Sequence, residues 1–522
     1  MPESPWAAIA PALLTGICLS FVLEFLLLPR PLPNWRRPLS AVATHTGIVI
    51  LLYVMELLLF RRPWFAMANV LALLLFTVLV SNAKYHSLRE PFLYQDFEYF
   101  TDALKHPRLY LPFFGIARTL LAAAGIVGAL VAGMMLEAPL LISSHPGFWI
   151  IGVGALAVSG IGLVWLGSAI EPPMSCEPCN DLTRLGQLAS LWYYGRDERR
   201  HQSGAAPTAG IFHHPDHVNA DHGRPDLVVV QSESFFDPRR CFSGIRPEVL
   251  AQFDRLKASS ALHGRLTVPA WGANTVRTEY AFLSGLDAEK LGIHQFNPYR
   301  WIARQGIPTL AGFLKHLGYR TVCIHPYPSS FYCRDAVYPL IGFDEFVDID
   351  GFQGTVHTGP YVSDVAVAAK IDEIMEENRR RTDRPPLFIF VITMENHGPL
   401  HLETISAGDV AAFHAATPPP GCEDLTVYLR HLSNADRMVK MIHDTLEQSD
   451  REGWLCFFGD HLPIMAKVYQ RLGDPDGDSE YVLWGNRGGS GLAQQTDMRV
   501  EDLAGQLLKH AGVLGDISRE LP

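Results

Sequence analysis

The chain has 522 residues, 48% hydrophobic and 19% charged, and carries a formal net charge of −11. That length exceeds one ordinary core, so at least two domains are expected. The acidic balance excludes a nucleic-acid partner, which needs clustered Lys and Arg against phosphate.

Long apolar runs lie almost entirely before residue 170, and most charge lies after it. Five segments, near 6–29, 39–60, 64–83, 113–135 and 147–169, approach the roughly 20 residues that cross a bilayer core as a helix. The first lacks a basic leader region and precedes four more, so it reads as a span rather than a cleaved signal. Arg30, Arg36 and Arg37 stand in the first loop, Arg61 and Arg62 in the second. Lys84, Arg89, Lys105 and Arg108 stand in the third, and the fourth has none. Counted alone, these charges put loops one and three in the cytoplasm and, with five spans, the C-terminal domain with them. The third loop also contains LREPFLYQDFEYFTDAL, which reads as an interfacial element carrying little topological weight.

A connector follows. NDLTRLGQLASLWYYG (180–195) has helical apolar spacing and ends in Trp192, Tyr193 and Tyr194, which predicts an amphipathic helix on the membrane surface. Residues 196–225 are polar and rich in Gly, Pro and His; His213, His214, His217 and His222 read as part of a solvated linker. Cys176 and Cys179 form a CxxC with no second pair to complete a zinc ribbon. A disulfide there, or between Cys323 and Cys333, fits an oxidising compartment, and free thiols fit equally. The expected organisation is a membrane domain over 1–170, a surface helix and linker over 171–225, and a catalytic domain over 226–522.

From residue 226, DLVVVQSES, RTVCIH, PLFIFVITMEN and GWLCFFGDH are continuous apolar runs closed by polar residues. They look like strands buried on both faces. Helical patterns alternate with them, in TEYAFLSGL, IPTLAGFLKHLGY, VAVAAKIDEIMEENRRR and EDLTVYLRHLSNADRMVKMIHDTLEQ. The expected fold is an α/β domain with helices on both faces of its sheet. Glu233, His325, His397 and the pair Asp460 and His461 stand at the carboxyl ends of the four runs. Ligands of open α/β sheets bind at that edge. Singly, each is an ordinary loop residue; four strands ending this way point to one site.

Glu233, Asp460 and His461 offer two carboxylates and an imidazole. That set suits a divalent ion of intermediate hardness, Mn²⁺ first, with Zn²⁺ or Mg²⁺ also compatible. In WGANTVRTEYAFLSGL (271–286), Thr275 falls where a helix cap would sit. The same geometry suits a nucleophile, because a helix N-terminus favours phosphate and a metal-bound hydroxyl loses its proton more readily. Asn274 or backbone amides there can hold a phosphate oxygen.

ESFF at Glu233, NTVRTEY at Thr275, NHGP at His397 and GDHLP at Asp460 together resemble the lipoteichoic acid synthase and phosphoglycerol transferase family. That family lies in the alkaline phosphatase and sulfatase superfamily. The resemblance covers the whole chain: five spans, a surface helix and a mixed-sheet catalytic domain. It implies that Glu233, Thr275, Asp460 and His461 hold the metal and that Thr275 is also the nucleophile. It implies a role for His397 in binding the phosphoryl group or protonating the leaving alkoxide. The family takes phosphoglycerol from phosphatidylglycerol and passes it to an acceptor hydroxyl, on a glycan or a glycerol-phosphate chain. Its substrate pocket matches His325 and Arg334 in HPYPSSFYCRD; Tyr327 stands where the family pattern has Asp, and Tyr332 where it often has Trp. The resemblance also implies an extracytoplasmic domain on the cytoplasmic (inner) membrane, against the loop charges, and we adopt that placement. Sulfatase chemistry is disfavoured, since Thr275-Val276-Arg277 lacks the Cys or Ser followed by x-Pro-x-Arg. Phosphoethanolamine transfer and a non-catalytic lipid or glycan sensor of the same fold are the alternatives.

Overall fold

The computed structural model describes residues 6–97, 116–140, 146–201, 212, 223–487 and 493–515. His213, His214, His217 and His222, Lys105 and Arg108, and positions 113–115 of the expected fourth span lie outside the described residues. The chain divides into two compact units, Met1–Ser203 and Gly204–Pro522.

In the first unit, four helices among the described residues are long and apolar enough to cross a membrane: Trp6–Glu24, Leu39–Phe60, Pro63–Leu88 and Trp149–Ala169. The expected fourth segment forms the helix Ile116–Leu136. Between 22% and 44% of each spanning window is buried against neighbours, which leaves apolar faces turned outward. Small residues let two of these helices approach. A Cβ on Gly47 would lie 2.7 Å from the Gly160 carbonyl oxygen, so the contact needs hydrogen at that position.

The connector differs from the single surface helix expected. It is two helices, Pro178–Leu185 and Gln187–His201, split at Gly186, where φ is +81°. Glu24 Oε1 accepts the amide of Gln187 at 2.8 Å, so a carboxylate from the first span meets the positive end of the second helix. Tyr193 and Tyr194 are buried rather than turned to the membrane surface. The reason is polar: Tyr193 Oη donates to the Gly167 carbonyl at 3.0 Å, and Tyr194 Oη to Asp181 at 3.1 Å. All eight cysteines are free.

The second unit contains strands β1 (Asp226–Ser232), β2 (Leu262–Thr267), β3 (Arg320–Ile324), β4 (Glu345–Val347), β5 (His357–Thr358), β6 (Tyr361–Val362), β7 (Leu387–Ile392), β8 (Gly453–Gly459), β9 (Ser479–Gly485), β10 (Gln494–Gln495) and β11 (Met498–Arg499). The main sheet runs β10-β2-β9-β8-β1-β7-β3-β4, with β11 also on β2, and β5 and β6 form a separate hairpin. β8, β1, β7, β3 and β4 are parallel neighbours; β9 is antiparallel to both β8 and β2, so the sheet is mixed.

The central strands read as unbroken apolar runs because both faces are covered. Along β1, Leu227 and Val229 join one core and Val228 and Val230 the other. The first core takes in the helices Thr275–Ser284 and Val500–His510; the second takes in Asp364–Arg380 and Glu423–Glu447. β8, β1, β7 and β3 are adjacent and parallel, so the residues that follow them come to one edge of the sheet. At the end of β8 the chain is tight: a Cβ on Gly459 would lie 1.9 Å from the Phe235 carbonyl oxygen.

Candidate active site

β1 and β8 end side by side and deliver Glu233, Asp460 and His461 together. One ligand atom from each lies within 4.8 Å of the others, and all three residues are buried. His461 Nδ1 lies 3.0 Å from the Leu462 carbonyl oxygen, to which it donates. That fixes the tautomer and leaves Nε2 as a lone pair. Nε2 faces Glu233 Oε1 at 3.5 Å and Asp460 Oδ2 at 3.3 Å. Asp460 Oδ2 is buried without a hydrogen-bond partner. A buried space surrounded by acceptors alone is unfavourable unless a cation fills it. Electrostatics agree: burial, and then the Asp460 carboxylate, push Glu233 up to about 8. A divalent ion therefore fits the residues present.

Ser234 supports both carboxylates. Its Oγ donates to Glu233 Oε1 at 2.8 Å and its amide donates to Asp460 Oδ1 at 2.8 Å. Glu233 is held from behind as well, its amide donating to Thr393 Oγ1 at 3.0 Å.

Thr275 opens the helix Thr275–Ser284 as its first residue. The cap position falls to Asn274, in the left-handed region at φ 66°, and its side chain makes no capping bond. Two bonds tie this helix to the strand ends. Thr278 Oγ1 donates to the Asp460 carbonyl at 2.7 Å, and Gln231 Nε2 to the Thr275 carbonyl at 3.4 Å. Thr275, Asn274, Glu233 and His461 line one cavity of about 40 Å³, together with His325, Tyr332, Arg334 and His397 among others. Tyr327 is absent from that wall; its ring packs beside His325 and Phe331, with centroids 6.1 and 5.2 Å away.

The substrate-side residues are tightly held. His325 Nδ1 donates to the Ile392 carbonyl at 3.2 Å, and its Nε2 accepts from Arg334 Nη1 at 3.1 Å. Burial and the Arg334 charge hold the His325 pKa well below the ordinary imidazole value. Arg334 is 1% exposed and pairs with Glu279 at 2.7 Å. Burial alone would lower its pKa, but the Glu279 carboxylate outweighs that and raises it. The guanidinium also lies over the Tyr332 ring, 5.2 Å from its centroid. His397 Nδ1 donates to the Gly398 carbonyl at 2.8 Å, which leaves Nε2 as the basic nitrogen, and burial lowers its pKa.

Ser234, Thr278, Glu279 and Thr393 are absent from the sequence-based site. Glu279 carried a signal, standing four residues after Thr275 and so on the same helix face. Thr393 carried none, because its role depends on β1 lying beside β7.

A sulfatase family model matches residues 225–513. The capsular polysaccharide biosynthesis protein RkpI of Rhizobium meliloti (strain 1021) is 28% identical over 478 residues, covering 87% of this chain and 84% of that protein. Lipooligosaccharide phosphoethanolamine transferase A (EptA) of Neisseria meningitidis, an integral membrane protein, has TM-score 0.55 at 13% identity, covering 96% of this chain and 95% of that one. Streptococcus pyogenes phosphoglycerol transferase GacH, in complex with sn-glycerol-1-phosphate, has TM-score 0.46 at 20% identity, covering 62% and 80%.

Proposed function

The chain belongs to the sulfatase family, and from that premise we propose that it is a membrane-bound, metal-dependent phosphotransferase moving phosphoglycerol from phosphatidylglycerol, through phospho-Thr275, to a glycan hydroxyl. The observation that carries this reading is a buried acceptor-only cluster, Glu233, Asp460 and His461, sharing a small cavity with a threonine at a helix N-terminus. Sulfate-ester hydrolysis lacks its nucleophile motif here; a hydroxyl beside a cation site suits phosphoryl transfer.

Glu233, Asp460 and His461 would hold the ion, with Thr275 Oγ as its fourth ligand; two carboxylates with one imidazole favour Mn²⁺. Bound there, the ion supplies positive charge that eases loss of the threonine proton and offsets the charge on the phosphoryl oxygens. His397 Nε2, neutral and basic, takes that proton. Thr275 Oγ forms a bond to phosphorus, the bond from phosphorus to the diacylglycerol oxygen breaks, and His397 returns the proton to that oxygen. In the second half, His397 takes the proton of an acceptor hydroxyl, which bonds to phosphorus. The bond from phosphorus to Thr275 Oγ breaks, and the proton returns to Thr275. Each half passes one proton through His397: the threonine proton leaves with diacylglycerol, and the acceptor's proton replaces it. The positive end of the helix Thr275–Ser284 favours the anion throughout.

Hydrogen-bond chemistry supports glycerol over ethanolamine as the head group. Arg334 spends one N–H of Nη1 on His325 and one of Nη2 on Glu279. Each nitrogen has a second N–H, and Arg334 is one of the residues lining the cavity. Those donors match hydroxyl oxygens, whereas an ammonium has no lone pair to offer them. Similarity to a capsular polysaccharide biosynthesis protein favours a glycan acceptor over a glycerol-phosphate chain. An exported envelope glycan as acceptor is consistent with a catalytic unit on the extracytoplasmic face of the cytoplasmic membrane, and we adopt that placement.

The test is lipid turnover by the full-length protein in vesicles with Mn²⁺. Labelled phosphatidylglycerol is expected to release diacylglycerol, and labelled phosphatidylethanolamine is not. Release from phosphatidylethanolamine alone would replace this donor assignment.

A further inference from the structure

Glu279 is a fully buried carboxylate with no part in the chemistry above. It stands one turn along the helix from Thr275, on the same face. Its oxygens accept from four groups: Arg334 Nη2 at 2.7 Å, Arg334 Nε at 3.4 Å, Tyr299 Oη and Tyr338 Oη. Oε1 accepts three of these bonds and Oε2 one, and Glu279 is not part of the cavity wall.

Arg334 has an unusual approach. Tyr332 and Cys333 precede it with φ of 56° and 54°, two consecutive non-glycine residues in the left-handed region. Such a turn persists only where its surroundings outweigh the strain. The ion pair with Glu279 and the bond to His325 are what hold its end. From the helix of Thr275, a bonded chain runs through Glu279 to Arg334, to His325, and to the Ile392 carbonyl at the end of β7.

We propose that Glu279 is a positioning residue, which holds the Arg334 fork at the cavity wall in register with Thr275 and thereby sets affinity for the donor head group. This rests on the phosphoglycerol reading above. A carboxylate serves because it alone neutralises a buried guanidinium and accepts both tyrosine hydroxyls. An amide of the same size would turn N–H groups toward Arg334.

The experiment uses the full-length Mn²⁺-loaded protein and two readouts, turnover of phosphatidylglycerol and binding of sn-glycerol-1-phosphate. Glu279→Gln is expected to raise KM and weaken glycerol phosphate binding by about 10- to 100-fold, with kcat reduced by less than about threefold. Mn²⁺ affinity is expected to stay within about twofold, and Glu279→Asp to recover part of the loss. In an Arg334→Gln background, Glu279→Gln should add less than about twofold, because its effect travels through Arg334. Unchanged KM and binding in Glu279→Gln, or a full additional loss on top of Arg334→Gln, overturns the proposal.

Should Glu279→Gln fail to fold, Tyr338→Phe removes one donor and keeps the charge; binding is then expected to weaken by roughly two- to fivefold. Unchanged binding in that variant also overturns the proposal. A wild type that binds glycerol phosphate but releases no diacylglycerol from phosphatidylglycerol refutes the functional reading and leaves Glu279 decided by binding. A wild type that binds no glycerol phosphate overturns the Glu279 proposal, while the functional reading is decided by diacylglycerol release.

Discussion

Ser234 shows how one small residue holds two carboxylates. It follows Glu233 directly, with φ of 53°, and that left-handed turn aims its amide at Asp460 while its hydroxyl reaches back to Glu233. Outer partners of this kind orient ligands and tune their basicity, and losing one typically costs about 10- to 100-fold in metal affinity. Ser234→Ala removes the hydroxyl and keeps the amide, so Mn²⁺ affinity measured by calorimetry is expected to fall by about tenfold, near the lower end of that range. Wild-type affinity in that variant would mean that the hydroxyl does not orient Glu233. Thr275, by contrast, contributes through position as much as type. The sequence suggests a capping role for it, but Asn274 occupies the cap, and the helix begins with Thr275 at the cavity.

At the level of elements, the end of β7 is steadied from the helix Glu423–Glu447. His431 on that helix, fully buried, lies between Glu395 at 3.0 Å and Glu403 at 2.9 Å. Burial works against its charge, but the two carboxylates overcome that and raise it to about 9. A raised pKa means that the native state binds the proton more tightly than the unfolded chain. The stabilisation is therefore complete below about 6.5, the unfolded value, and is lost as pH rises through the folded value. The rise corresponds to up to about 3 kcal/mol. The thermal midpoint of the wild type in detergent is expected to decline between pH 7 and 10, and His431→Gln to start lower and lose most of that slope. Equal slopes would show that another group carries the pH dependence. Glu395 stands two residues before His397, so loosening there should also reduce turnover before the protein unfolds.

For the whole molecule, the division at Ser203 and Gly204 separates a helical unit from an α/β unit. The proposed function puts the second unit where envelope glycans are exposed, against the charges of the short loops. A reporter active only outside the cytoplasm, fused after residue 522, is expected to be active. Activity from a cytoplasm-only reporter at the same point would reverse the orientation.

Four apolar helices, the four central strands and the polar residues at their ends were legible in the sequence because each depends on local pattern. A spanning helix needs about 20 apolar residues in a row, and a strand covered on both faces needs an unbroken apolar run. Membership of the site was partly legible for a similar reason, since polar residues closing such runs are forced to the sheet edge. β2 and β9 escaped notice because their positions come from pairing rather than from a long apolar signal, and β9 runs antiparallel. The break at Gly186, the clasp around Glu279 and the Ser234 bridge were decided only by tertiary structure. The last two join residues whose separation in sequence carries no periodic signal, Glu279 with Arg334 and Ser234 with Asp460. Buried polar atoms must find partners wherever the fold brings them, and the choice of partner is a property of the folded arrangement.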